Sequence, residues 1–170
     1  PNYRIDAVVR AFATVRQSYP QARLHLLGGG SQEGRLRVLV NDLALQNSVQ
    51  FHGRLHDAGM AAVLARCKLS ISVPVSDATS VSVLESMACG LAVIASELPA
   101  NREWLADEAL VPVDDEHALA QCWAGLLGDD ARCAALGARN ADRIARDGDR
   151  RVQMDAVDAA YRRLLTEHAP

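Results

Sequence analysis

SDATSVSVLESMACGLAVIAS, residues 76–96, decides how this chain folds. A helix over about 81–89 runs into Gly90, and LAVIAS follows as a short, continuously apolar strand. A strand without polar alternation is one covered on both faces. Upstream, LSISVPV makes a strand ending at Pro74, so residues 69–96 read strand, loop, helix, strand.

The same grammar extends in both directions. Toward the N-terminus, RLHLLGGG is a strand running into glycines, followed by Leu36, Leu39, Val40, Leu43 and Leu45 at helical spacing. SVQFHG is a second strand and residues 57–66 a helix. Before these, Ile5, Val8, Val9, Phe12 and Val15 mark an opening helix over 5–17, closed off by Pro20. Toward the C-terminus come a turn at Pro99, a short strand in ALVPV, and helices over 115–127, 129–146 and about 149–166. The last has Val152, Ala156, Val157, Ala160, Tyr161 and Leu164 on its apolar side. Strands alternating with helices specify a Rossmann-like, doubly wound α/β domain with a parallel sheet. No repeat or linker divides it, so residues 1–170 read as a single domain with C-terminal helices over about 115–168. In such sheets the first strand sits centrally, at the switch point, yet this sequence opens with a helix. The expectation is a piece of a longer protein lacking that strand, its slot vacant, filled by another segment, or filled by a neighbouring chain.

Composition narrows the function. A hydrophobic content of 49% supports a real core, and a net charge of -3 offers no field for nucleic acid. No apolar run is long enough for a membrane span and no signal-peptide pattern is present. Cys67, Cys89, Cys122 and Cys133 lack metal or redox spacing and read as buried or half-buried thiols in a reducing compartment. His25, His52, His56, His117 and His168 share no metal spacing. His25 reads as a structural strand histidine, His117 and His168 as solvated, and only His52 and His56 fall near the site proposed below.

The chemistry concentrates on Asp77 and Glu85. One lies on the loop before the helix and the other a turn inside it, about 7 Å from Ser80 at the rise of a helix. The first amides of a helix have no intrahelical partner and its dipole favours negative charge. Two carboxylates beside such an anion site suit a ligand carrying hydroxyl pairs on either side of a phosphate, which is a nucleotide-sugar. Glu85 sits among small and apolar residues, which sets it apart from an ordinary surface acid. Gly28-Gly29-Gly30 end a strand at its ligand-binding edge, where a bare tight turn and a ligand contact fit equally. Phe51 belongs with the core, and Arg54 beyond it has the chemistry to meet a phosphate.

Taken together, YRIDAVVRAF, RLHLLGGGSQEGRL, VQFHGRL and SVSVLESMACGLAVIASELPANREWL resemble, in order and over nearly the whole chain, the C-terminal donor-binding domain of retaining glycosyltransferases of the GT-B fold, family 4. The resemblance implies that Glu85 holds the ribose hydroxyls and Asp77, the catalytic residue, the donor hexose. Amides of Thr79, Ser80 and Val81 would hold the pyrophosphate, Gly28 to Gly30 would line the cleft, and the loop of Arg54 and Leu55 would take the base. The first acid, usually Glu, is Asp77, and the glycine usual after it is Ala78. The family's phosphate-binding Lys aligns with Tyr3, with Arg4 beside it as a substitute.

The implied reaction transfers a hexosyl group with retention from a UDP- or GDP-hexose to a hydroxyl, in polysaccharide, lipopolysaccharide or glycolipid biosynthesis, with no metal or other cofactor. The acceptor would enter from an N-terminal domain outside this sequence, and the isolated domain would be inactive. The expected place is the cytoplasm, any contact with the inner membrane face being made through that missing domain. A nucleotide-sugar epimerase of the same fold and a non-catalytic nucleotide-binding module are the alternatives.

Overall fold

Helix α1, Ile5–Ser18, forms because Ala7, Val8, Ala11, Phe12 and Val15 repeat at helical spacing and bury one face, while Asp6 in its first turn and Arg16 in its last complement the dipole. Phe12 stacks on Trp123 with ring centroids 5.3 Å apart. Burying that one ring contributes about 1.5–3 kcal/mol. The structure, a computed structural model, describes residues 2–167, so the expectation for His168 lies outside the described residues.

After α1 the chain runs β1 (Leu24–Leu27), α2 (Glu33–Asp42), β2 (Val49–Gly53), α3 (Asp57–Leu64), β3 (Leu69–Ser72), α4 (Val81–Ala88) and β4 (Ala92–Ser96). It continues through α5 (Pro99–Trp104), a 3-10 turn, β5 (Leu110–Val111), α6 (Glu116–Leu127), α7 (Asp130–Arg143), a π-helical turn and α8 (Arg150–Glu167). Pro99, expected in a plain turn, instead starts α5, where its missing N–H and fixed φ suit the first helical positions. Asp115 and Asp129 cap α6 and α7 by accepting from the amides of Ala118 and Arg132.

All strand pairs are parallel, in two groups. One is β1-β2 and the other β3-β4-β5, with no ladder between β1 and β3. The described strands thus form two parallel groups rather than one continuous ladder.

Strand β4 is buried throughout, and its side chains alternate between two cores. Ala92 and Ile94 join the large cluster of α1, α6 and both strand groups, while Val93 and Ala95 pack with Val83 and Met87 of α4 and with Leu105. The doubly covered strand read from LAVIAS is therefore observed. The apolar side of α8 behaves differently: Val152, Val157, Tyr161 and Leu164 are exposed. Helical spacing alone does not say whether a partner is present.

The corner between α4 and β4 fixes the helix that matters most below. Gly90, at φ 71°, closes α4 with a Schellman pair, its amide donating to Met87 O and that of Leu91 to Ser86 O. Helix α7 lies directly on this corner. A Cβ at Gly137 would stand 2.1 Å from the Gly90 carbonyl oxygen. Asn140, also buried, donates from Nδ2 to Leu91 O at 2.8 Å.

Candidate active site

The loops carrying the predicted residues each leave the carboxyl end of a parallel strand, the edge at which open α/β sheets bind ligands. Between β3 and α4, Pro74 is buried and its carbonyl accepts from Ser96 Oγ, anchoring the loop to β4. Asp77 is half-buried and accepts from the Ala78 amide at 2.9 Å. Ala78, Thr79 and Val81 are exposed, and Ser80 is buried.

Ser80 is the N-cap residue of α4, yet no side chain caps this helix. Its hydroxyl lies 3.0 Å from that of Ser82 instead. The mouth of α4 is open, and a cap that would satisfy its first amides is replaced by a hydroxyl pair. One turn in, Val83, Ser86 and Met87 take the buried face, and Glu85 falls on the half-buried flank with exposed Ser82 and Cys89. Glu85 is therefore neither part of the packed face nor fully exposed. No hydrogen bond or ion pair joins it to Asp77 among the described residues.

The glycine turn and the second loop are brought together. The Gly28 amide donates to Gly53 O at 2.8 Å, with Gly28 at φ 101° and Gly53 at φ 66°, conformations that glycine adopts without strain. A Cβ at Gly28 or Gly30 would meet nothing within 4 Å, and one at Gly29 only Glu33 Oε2 at 3.6 Å. The turn is open to a ligand, and backbone conformation rather than crowding requires Gly28. Arg54 and Leu55 follow, both exposed. Phe51 is half-buried against the large cluster, with the Arg37 guanidinium 4.3 Å from its ring centre.

Arg4 is committed elsewhere. It sits at φ 46°, pairs with Asp114 and, at 3.8 Å, with Glu116 of α6, and lines a shallow recess with Val73, Ser96 and Val111. A phosphate would compete with two carboxylates for its guanidinium.

One arrangement escaped the sequence reading. His25 Nδ1 and His52 Nε2 lie 2.9 Å apart across β1 and β2. Burial, then the neighbouring His52, then Arg66 hold His25 below its ordinary value. Only the register of the two strands could have disclosed it. The thiols also differ from expectation. Cys133 is buried, Cys67 and Cys122 half-buried, but Cys89 is exposed. Burial pushes the first three upward. Among the described residues no helix is long and apolar enough to cross a membrane.

A family model described as "Glycosyl transferases group 1" matches residues 1–129. The chain is 30% identical, over 98% of its length, to an exopolysaccharide phosphotransferase of Streptomyces coelicolor, of which it covers 18%. It is 30% identical over 86% of its length to a phosphatidyl-myo-inositol mannosyltransferase of Mycolicibacterium smegmatis, of which it covers 38%. It thus spans less than two-fifths of either relative. Among solved structures, a TarM mutant of S. aureus in complex with fondaparinux, alpha-GlcNAc-glycerol and UDP superimposes with a TM-score of 0.84 at 19% identity, covering 91% of this chain and 32% of that one.

Proposed function

The chain belongs to the glycosyl transferases group 1 family, and on that premise we propose that it is the donor-binding half of a retaining glycosyltransferase. The observation that carries the reading is the open, uncapped mouth of α4, with Asp77 before it and Glu85 one turn inside. The UDP in the TarM complex supports a nucleotide donor, and the mannosyltransferase relative supports a hexosyl group delivered to a glycolipid or polysaccharide.

In this reading the pyrophosphate lies on the amides of Thr79, Ser80 and Val81. As the glycosidic bond breaks, charge grows on the leaving diphosphate, and fixed amides with the helix dipole stabilise it without reorganising. Glu85 accepts from the ribose hydroxyls. Asp77 accepts from the hexose, orients it and favours its cationic transition state, and no protein group is assigned as nucleophile. Gly28 to Gly30 line the cleft, and the loop of Arg54 and Leu55 receives the base. Arg4 adds a phosphate contact only by releasing Asp114 and Glu116. The acceptor comes from a domain beyond this sequence, and the reaction is assigned to the cytoplasm.

The test is calorimetry with UDP, GDP and their sugars on the full-length enzyme. Glu85→Ala removes hydrogen bonds to a charged acceptor, worth about 1.5–3 kcal/mol, so affinity should fall about tenfold to a hundredfold. Unchanged affinity would overturn the assignment. A second reading, favoured by the S. coelicolor relative, makes the domain part of a phosphotransferase. Analysis of the product, a glycoside or a phosphodiester, separates the two.

A further inference from the structure

Among the described residues three that are not glycine have positive φ: Arg4 at 46°, Ala44 at 54° and Asp114 at 69°. The left-handed region is costly for a residue with a Cβ, and side chains held there gather where the surroundings impose that conformation. Two of the three are ion-paired with each other. Arg4 Nη1 meets Asp114 Oδ1, although one residue precedes α1 and the other precedes α6. The pair belongs to a chain of charges. Arg4 Nη2 also lies 3.8 Å from Glu116, Glu116 accepts from Arg10 Nε at 3.1 Å, and Arg10 pairs with Asp6. Three carboxylates thus share two guanidiniums.

These groups do not depend on one another equally. The Asp114 side chain is 65% exposed and that of Arg4 only 19%. Water can solvate Asp114 by itself, and Glu116 keeps Arg10 when Arg4 is withdrawn. Arg4, largely removed from water, is costly without an anion beside it. The acids can do without Arg4, but Arg4 cannot do without an anion. That asymmetry suits a cation that exchanges partners. Its position sets the exchange beside the candidate site. Arg4 shares its recess with Val73, Ser96 and Val111, at the carboxyl ends of β3, β4 and β5. Ser96 Oγ holds the Pro74 carbonyl in the loop leading to α4, and Asn2, two residues before Arg4, is hydrogen-bonded to Val75 and Ser76 of the same loop. Asp77 is the next residue.

We infer, on the nucleotide-sugar reading above, that Asp114 is a positioning residue that sets how tightly the domain holds a diphosphate: it keeps Arg4 in the free protein and yields the guanidinium to an entering diphosphate. Arginine meets a phosphate with the same fork by which it meets a carboxylate, so the exchange replaces one anion by another of greater charge. The observed affinity is the intrinsic one reduced by the share of molecules in which Asp114 keeps Arg4. The same competition acts on the diphosphate left after transfer and favours its departure.

The test is calorimetry on the full-length enzyme with UDP, inorganic pyrophosphate and uridine. Asp114→Asn removes the charge, keeps a residue that tolerates the left-handed region, and should tighten UDP and pyrophosphate about fivefold while leaving uridine unchanged. Asp114→Gly, unstrained at φ 69°, should repeat the gain, so a folding defect in the asparagine variant does not decide the outcome. In an Arg4→Gly background, where glycine adopts φ 46° freely, neither substitution should change affinity by more than about twofold. Absence of the gain in both variants would overturn the inference. So would an equal gain in the Arg4→Gly background or with uridine, which would show Asp114 acting on the ligand without Arg4 or without a phosphate. A pyrophosphate gain beside an unchanged affinity of Glu85→Ala for UDP upholds the role of Asp114 and removes only the ribose assignment; a loss in Glu85→Ala with no gain at Asp114 does the reverse.

Discussion

Replacing Gly137 with alanine tests how α7 holds the corner at the start of β4. The new Cβ would lie 2.1 Å from Gly90 O, 3.1 Å from Gly90 C and 3.4 Å from Ala92 N, all backbone atoms without rotamers to yield. Ordinary contact requires α7 to retreat by roughly 1 Å or more, and overpacking of this kind costs about 1–3 kcal/mol. The retreat also stretches the Asn140 to Leu91 hydrogen bond, with a further loss of about 1 kcal/mol. Opposing both, alanine is the better helix former by about 1 kcal/mol. The net is a destabilisation of about 2 kcal/mol, or a fall of roughly 4–8 °C in the melting midpoint. Gly125→Ala in α6 is the control, because a Cβ there meets nothing within 4 Å. It should raise the midpoint by roughly 2–4 °C through propensity alone. Calorimetric melting of the two variants reads both signs. A Gly137→Ala protein melting at or above the parent would refute the close approach of α7.

Two further outcomes concern the site's surroundings. Because His25 is held below its ordinary value of 6.5, the unfolded chain binds the proton more readily, so this contribution to stability is full above about pH 6.5 and declines as pH falls through the folded value. Melting midpoints between pH 7.5 and 5 should drop more steeply in the parent than in His25→Gln, and parallel profiles would count against the pairing. Exposed Cys89 lies one turn beyond Glu85 on the same flank of α4, so it should react with a thiol reagent before Cys67, Cys122 and Cys133, and saturating nucleotide should slow it. Indifference of the Cys89 rate to nucleotide would contradict a ligand lying along that flank.

What could be read beforehand followed local periodicity. The face of α1 from Ala7 to Val15 and the unbroken run of β4 each carry their burial in the order of their own residues. Features made by distant segments meeting were invisible. The contact of Gly137 with Gly90 joins positions that share no pattern, and the His25–His52 pair depends on strand register. Pro99 was legible and was misread, since proline both makes turns and starts helices. For Asp77 and Glu85 the spacing gave their positions relative to α4. The open mouth needed coordinates, because a serine at an N-cap ordinarily closes the helix that Ser80 leaves open.

The alternation along β4 constrains how this domain can diverge. Ala92 and Ile94 serve one cluster while Val93 and Ala95 serve the other. Inserting or deleting a single codon at Leu91 would exchange the linings of both interiors at once, since every later side chain would turn to the opposite face. Conservative replacements within the strand disturb one interior at a time. The corner therefore tolerates changes of residue far better than changes of length.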